Sequence, residues 1–166
     1  LAYLRAHGNA LTSIDVSNNP LLTYLHLDHN DLTSLDLSNN TLLTQLHLTG
    51  NELTTMDVNS NNALTRLYIN SNSLTSISGV SGNTNLESLS LSSNDLTSVD
   101  LSGCASLTGP ALNSNSLSSL DLTGCTAMTS LSVANNELTT LDLSTNDSLV
   151  AIYGENNLLT SIDVTD

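Results

Sequence analysis

Phenylalanine and tryptophan are absent from the 166 residues, and tyrosine occurs only four times against 35 leucines. A core without large rings has to be assembled from many small aliphatic contacts, which points to an architecture that repeats. Positive charge is nearly missing as well: two Lys plus Arg stand against 16 Asp plus Glu, a formal charge of −14 with histidines neutral. Such a surface repels a polyanion over most of its area, so nucleic acid is excluded as an expected partner. Two cysteines cannot form the framework of a disulfide-held domain, and they leave the redox compartment open. No apolar run approaches the roughly 20 residues of a membrane-spanning helix, so membrane insertion is not expected. Leu1 already lies inside a repeating pattern, without the basic start, apolar stretch and cleavage site of a signal peptide. The chain is therefore expected to be an excised or mature segment.

What the sequence does have is a period of 21. Each period divides into a ten-residue half, A, and an eleven-residue half, B. The A halves start at Leu1, Leu22, Leu43, Leu64, Leu86, Leu107, Met128 and Leu149, and the B halves at Leu11, Leu32, Leu53, Leu74, Leu96, Leu117, Leu138 and Leu159. The B half at Leu74 carries one extra residue. Within each half the apolar residues fall at local positions 1, 4 and 6, as Leu32, Leu35 and Leu37 do, with polar residues between them. That alternation is the signature of a short half-buried strand. No half offers enough residues at helical spacing for a helix, and Asn, Ser, Thr or Gly close each strand. Stacking the turns at ~4.8 Å makes two parallel sheets facing one another across a leucine core, roughly 38 Å long. The expected fold is thus a mainly β repeat solenoid of about eight turns, with two short parallel strands per turn and no long helices. It fills residues 1–166 as a single array and is expected to be an uncapped segment of a larger protein.

The recurring L-x-x-L-x-L-x-x-N-x-L, present as LTYLHLDHNDL from Leu22 and LTQLHLTGNEL from Leu43, resembles the conserved segment of leucine-rich repeats. The L-D-L core of the B halves is similar to that of the nested bacterial subclass of 21-residue repeats often called IRREKO. The resemblance covers the whole chain. It implies a right-handed solenoid and, by analogy with bacterial surface proteins such as the internalins, a role in binding or adhesion at the cell surface or outside the cell.

Several columns run along the stack. Local position 9 of the A halves is always Asn: Asn9, Asn30, Asn51, Asn72, Asn94, Asn115, Asn136 and Asn157. An amide between strand and turn can serve backbone groups that the turn leaves unpaired, so a structural role is expected. The same place in the B halves holds Asn19, Asn40, Asn61, Cys104, Cys125 and Asn146. The two cysteines read as a buried thiol column, although adjacent turns about 5 Å apart also lie within disulfide reach. Local position 5 of the B halves gives Asp15, Asp36, Asp57, Ser78, Asp100, Asp121, Asp142 and Asp163. This carboxylate ladder is expected to be solvated charge that resists aggregation; a calcium-organised adhesin is weighed and not favoured, because a site needs six or more oxygens. The extra Gly79 should bulge and interrupt the ladder, and Pro110, at an inward strand position, should break pairing of sheet A.

Functional signal lies in the placement of rare residues. Every Tyr, His and Arg falls in an A half at an outward position. Column 5 reads Arg5, His26, His47, Tyr68, Ser90, Ala111, Ser132 and Tyr153, and column 3 begins Tyr3, Tyr24, Gln45 and Arg66. Tyr and Arg concentrate at interaction hot spots, so Tyr3, Arg5, Tyr24, His26, His47, Arg66 and Tyr68 are the candidate binding residues for a protein or glycan partner. Outward aromatics also stabilise their own sheet, which is the plain alternative. His26 and His47 stack on adjacent turns with His7 and Asp28 beside them, which permits a zinc or nickel site. No metal ligand is assigned, because the spacing fixes no ligand set and the sheet would be open and flat. Catalytic residues and cofactors are likewise not expected, since nothing implies a water-excluding pocket or a phosphate-cradling glycine loop. The expected function is a non-enzymatic surface binding module, with a passive spacer or stalk of a larger surface protein as the alternative.

Overall fold

The computed structural model describes residues 1–165; Asp166, the last residue of the expected array, lies outside them. Strands of three residues alternate with turns along the whole chain, and no helix occurs among the described residues. The A halves supply β1 (Tyr3–Arg5), β2 (Tyr24–His26), β3 (Gln45–His47), β5 (Arg66–Tyr68), β7 (Ser88–Ser90), β8 (Ser130–Ser132) and β10 (Ala151–Tyr153). The B halves supply β4 (Thr55–Asp57), β6 (Ser76–Ser78), β9 (Thr140–Asp142) and β11 (Ser161–Asp163). All pairs are parallel and in register, so Tyr3 faces Tyr24 and His26 faces His47.

β1, β2, β3, β5 and β7 form one five-stranded sheet in that order, and β8 pairs with β10. Between them Pro110 acts as expected: its turn keeps only single bridges, Ser90 to Ala111 and Ala111 to Ser132. Proline has no N–H to give the next rung, so the strand shrinks to one residue while the stack continues. On the B side only β4–β6 and β9–β11 pair. Pairing among the described residues is thus continuous over five successive A rungs and intermittent on the B side.

The interior is the leucine column that the spacing requires. Leu22, Leu25, Leu27, Leu43, Leu46 and Leu48 are fully buried, and their equivalents continue through Leu131 and Val133. The B side is looser: Met56 and Leu141 are buried, whereas Ile14, Leu35, Ile77, Val99 and Leu120 are only half-buried. The Asn column closes each A half as expected. Asn30 donates from Nδ2 to the Ala6 and Leu27 carbonyls at 3.0 and 2.9 Å, and its Oδ1 accepts the Leu11 N–H at 3.0 Å. One amide thereby ties two turns together, and the pattern recurs at Asn51, Asn94, Asn115 and Asn136.

The B-side column, which also includes Asn83, works differently. Asn40, Asn61 and Asn146 each donate to carbonyls of the preceding turn, but their Oδ1 atoms and that of Asn83 are buried without a partner. Only a donor is used there, and a thiol supplies one: Cys104 and Cys125 are free and buried, and their Sγ atoms donate to the Val80 and Leu101 carbonyls at 3.5 Å. Burial pushes the Cys104 thiol up to about 11.

Threonine at local position 2 adds a hydroxyl ladder, with Thr23, Thr44, Thr65, Thr108 and Thr129 each donating to a carbonyl one turn back. At the extra residue the bulge appears as expected. Gly79 takes φ +83°, Val80 is buried, and a Cβ on Gly79 would stand 2.4 Å from the Asn59 nitrogen. Local position 8 of all eight A halves is left-handed: Gly8, His29, Gly50, Ser71, Ser93, Ser114, Asn135 and Asn156 have φ between 52° and 68°.

Candidate functional site

The site stands on the outward face of β1, β2, β3 and β5. In-register parallel pairing brings residues 21 apart onto neighbouring rungs, so a column in the sequence becomes a row of touching side chains. The rings of Tyr3 and Tyr24 stack with centroids 4.2 Å apart and planes within 7°. The Arg5 guanidinium lies 5.7 Å from both ring centroids and donates to the Tyr24 hydroxyl at 3.3 Å. Tyr24 Oη meets His26 Nδ1 at 3.4 Å, His26 packs against His47 at 4.9 Å, and His47 meets Tyr68 edge-on at 4.9 Å. Tyr68 ends the chain of contacts by donating to Ser88 Oγ at 2.9 Å.

Six of the seven candidate residues thus form one continuous cluster. Arg66 is exposed in the adjoining column beside Gln45, close enough for its charge to act on His47. His7 joins the cluster by stacking on His26 at 4.5 Å. Tyr153 shares column 5 but sits on β10, beyond Ser90, Ala111 and Ser132.

Asp28, outside the candidate binding set, is tied into the site through both of its oxygens. Its Oδ1 accepts the Thr49 N–H at 2.7 Å, and its Oδ2 lies 3.0 Å from His26 Nε2. The signal was available in column 7, where Asn70 and Asn113 occupy the equivalent place and accept the Ser92 and Ala134 N–H at 2.9 and 2.8 Å. A neutral amide meets that backbone need, so the second oxygen of Asp28 is surplus to the fold. His47 is half-buried, and its Nε2 is fully covered without a hydrogen-bond partner. Burial, reinforced by the nearby His26, holds its pKa below the ordinary histidine value.

On the B face the carboxylate ladder has a local purpose that the sequence reading missed. The Oδ1 atoms of Asp15, Asp36, Asp57, Asp100, Asp121, Asp142 and Asp163 each accept the backbone N–H two residues on, at 2.8–3.0 Å. These are Asx turns at local position 5 of seven of the eight B halves, all but the one with Ser78. For Asp36 the Ser38 N–H, then its hydroxyl, draws the carboxyl below its usual range, and neighbouring Asp15 and Asp57 oppose this only weakly. Asp57 makes a further contact at the interruption: Asn59 Nδ2 donates to Asp57 Oδ1 at 2.7 Å and to Ser78 Oγ at 3.2 Å.

Family models for leucine-rich repeats match residues 18–38, 39–55 and 62–108, together about half of the chain. A search of curated protein sequences finds no match. Among solved structures, the functional domain of InlJ from Listeria monocytogenes, described as including a cysteine ladder, is 33% identical over 93% of this chain and 39% of its own, with a TM-score of 0.75. Internalin C2 of the same species is 26% identical over 96% of this chain and 73% of its own, TM-score 0.77. YopM, a leucine-rich effector protein from Yersinia pestis, is 27% identical over 88% and 41%, TM-score 0.79. The chain spans about two fifths of the InlJ and YopM chains. A leucine column closed by an asparagine ladder, the matching repeat models and these likenesses lead to one statement: the chain belongs to the leucine-rich repeat family and is internalin-like in its repeats.

Proposed function

We propose that this chain is a non-enzymatic recognition module that binds a protein or glycan partner through the face built by Tyr3, Arg5, Tyr24, His26, His47, Arg66 and Tyr68. One observation carries the reading. The outward face of sheet A changes from a contiguous Tyr/His/Arg cluster on β1, β2, β3 and β5 to Ser on β7 and β8 with Ala111 between them, although the parallel stacking continues through these turns. A sheet that needed outward rings for its own stability would need them at every rung. Pre-stacked rings and a guanidinium held beside them also lose little freedom on contact, which favours binding. The likeness to internalins supports a role at the bacterial cell surface or in secretion, and no helix among the described residues is long and apolar enough to cross a membrane. The acidic surface speaks against nucleic acid.

Replacing Tyr24, His26, Arg66 and Tyr68 together with Ser is expected to abolish binding to any protein or glycan that an array screen identifies. Tyr153→Ser is expected to leave it unchanged, and both proteins should keep the parental far-UV circular dichroism. Undiminished affinity of the fourfold variant would overturn the reading.

A further inference from the structure

We propose that His26, His47 and Asp28 form a site for one divalent transition-metal ion, with zinc the best match, on the outward face of β2 and β3. One donor atom from each of the three residues lies within 4.8 Å of the others, and all three side chains are half-buried. His26 Nε2 and Asp28 Oδ2 stand 3.0 Å apart. Two donors about 2.0–2.2 Å from one ion lie about 2.9 Å apart at a right angle and about 3.4 Å apart at the tetrahedral angle, so this pair already has ligand spacing. Bringing a His47 donor from at most 4.8 Å to that spacing calls for a shift of about 1.5 Å, within the reach of a side-chain rotation.

Three features separate this cluster from chance neighbours on a flat sheet. The Nε2 of His47 is covered and has no hydrogen-bond partner, so no protein group holds that nitrogen against a shift of the ring toward an ion. Asp28 is oriented by the Thr49 N–H on its Oδ1, which leaves Oδ2 pointing at His26, the supporting contact that metal-binding carboxylates require. The carboxylate is also unnecessary for that backbone contact, because Asn70 and Asn113 make the equivalent one with amides. The walls are aromatic: Tyr24 and Tyr68 flank His47, and His7 covers His26. Two imidazoles and one carboxylate suit zinc, nickel or copper rather than calcium or magnesium, which prefer an all-oxygen shell. Three protein ligands leave a fourth position, open to water or to a donor from outside.

The inference does not rest on the recognition reading, and its test needs no partner. Zinc chloride alone, titrated calorimetrically into the metal-stripped chain, is expected to bind at one equivalent and to raise the melting temperature. Asp28→Asn, which keeps the Thr49 contact, and His47→Ala should each weaken binding by at least about tenfold. Cobalt is expected to give the intense visible absorption of a four-coordinate site, lost in the same variants. The double variant Asp100→Asn, Asp121→Asn should bind as the parent does. Absence of stoichiometric binding, equal affinity in Asp28→Asn and His47→Ala, or loss of binding in the Asp100, Asp121 variant would each overturn the proposal. Should His47→Ala fail to keep the parental circular dichroism, Asp28→Asn decides alone.

Discussion

Replacing Asn51 with Ala tests the stacking logic at one residue. Asn51 is 8% exposed, and its Oδ1 accepts the Leu32 N–H at 3.1 Å while Nδ2 donates to the Leu27 and Leu48 carbonyls, each at 3.1 Å. The two carbonyls keep a second donor after the change, from Asn30 and Asn72 respectively, so neither is orphaned. The Leu32 N–H, by contrast, is left buried without an acceptor. An orphaned buried N–H costs about 1–3 kcal/mol, and each lost carbonyl bond adds roughly 0.5–1 kcal/mol, so the expected loss is about 3 kcal/mol. Asn9 supplies the internal control. It is exposed, and its amide donates only to the Ala6 and His7 carbonyls of its own turn. Asn9→Ala should therefore cost below about 1 kcal/mol. Urea unfolding followed by far-UV circular dichroism measures both. Stabilities of the two variants within about 0.5 kcal/mol of each other would refute the claim that the amide acts between turns.

Three further outcomes follow from the same geometry. Gly79→Ala should be strongly destabilising, because its new Cβ meets Asn59 backbone atoms at 2.4–2.6 Å in addition to the positive φ. Gly8→Ala, at φ +68° with open space around it, should cost only the ~1 kcal/mol of the left-handed conformation; chemical denaturation of both variants checks the contrast. Iodoacetamide at pH 8 should leave Cys104 and Cys125 unmodified in the native chain and label both in urea, since both thiols are buried and Cys104 is pushed up to about 11; mass spectrometry reads the result, and rapid native labelling would contradict it. Asp15, Asp36, Asp57, Asp100, Asp121 and Asp163 have folded-state pKa values below the ordinary 3.8, so their stabilisation is complete above that value and is lost as pH falls through the folded values. His47, whose folded-state pKa is lowered by burial, adds a loss of its own as pH falls below about 6.5, so the test is made in His47→Gln: there the melting temperature should hold from pH 7 to 5 and drop below about pH 4, and a fall beginning near pH 6 would point to other groups.

The fold was legible because its information is periodic. Leucine or another aliphatic residue at nearly every position 1, 4 and 6 through eight repeats leaves one consistent way to make a dry interior, and the columns then follow from register alone. Pro110 and Gly79 were legible for the same reason, as exceptions to a rule that the rest of the chain states. The looser B side was not. Leu35 is half-buried and Leu46 fully buried although both stand at local position 4 of their halves, so the letter at that position does not decide the burial. The Asx turns of the Asp ladder were missed because the ladder was read as surface charge, while its partners are backbone N–H groups that carry no letter in the sequence. In the site, the row from Tyr3 to Tyr68 came directly from column order. Column order also placed Asp28 beside His26 and His47; what it could not give is the division of labour between its oxygens, seen only when the first is found to do what Asn70 and Asn113 do.

The left-handed corner at local position 8 also says where this chain has room to improve. Glycine and asparagine occupy four of its eight occurrences, whereas His29, Ser71, Ser93 and Ser114 hold the same conformation at φ 52–59° against their own preference. Each of these four corners carries an intrinsic penalty of about 1 kcal/mol that neighbouring turns have to overcome. Asparagine at Ser71, Ser93 and Ser114, as already stands at Asn135 and Asn156, is expected to raise the thermal tolerance of the stack while leaving the Tyr, His and Arg side chains of the outward face in place.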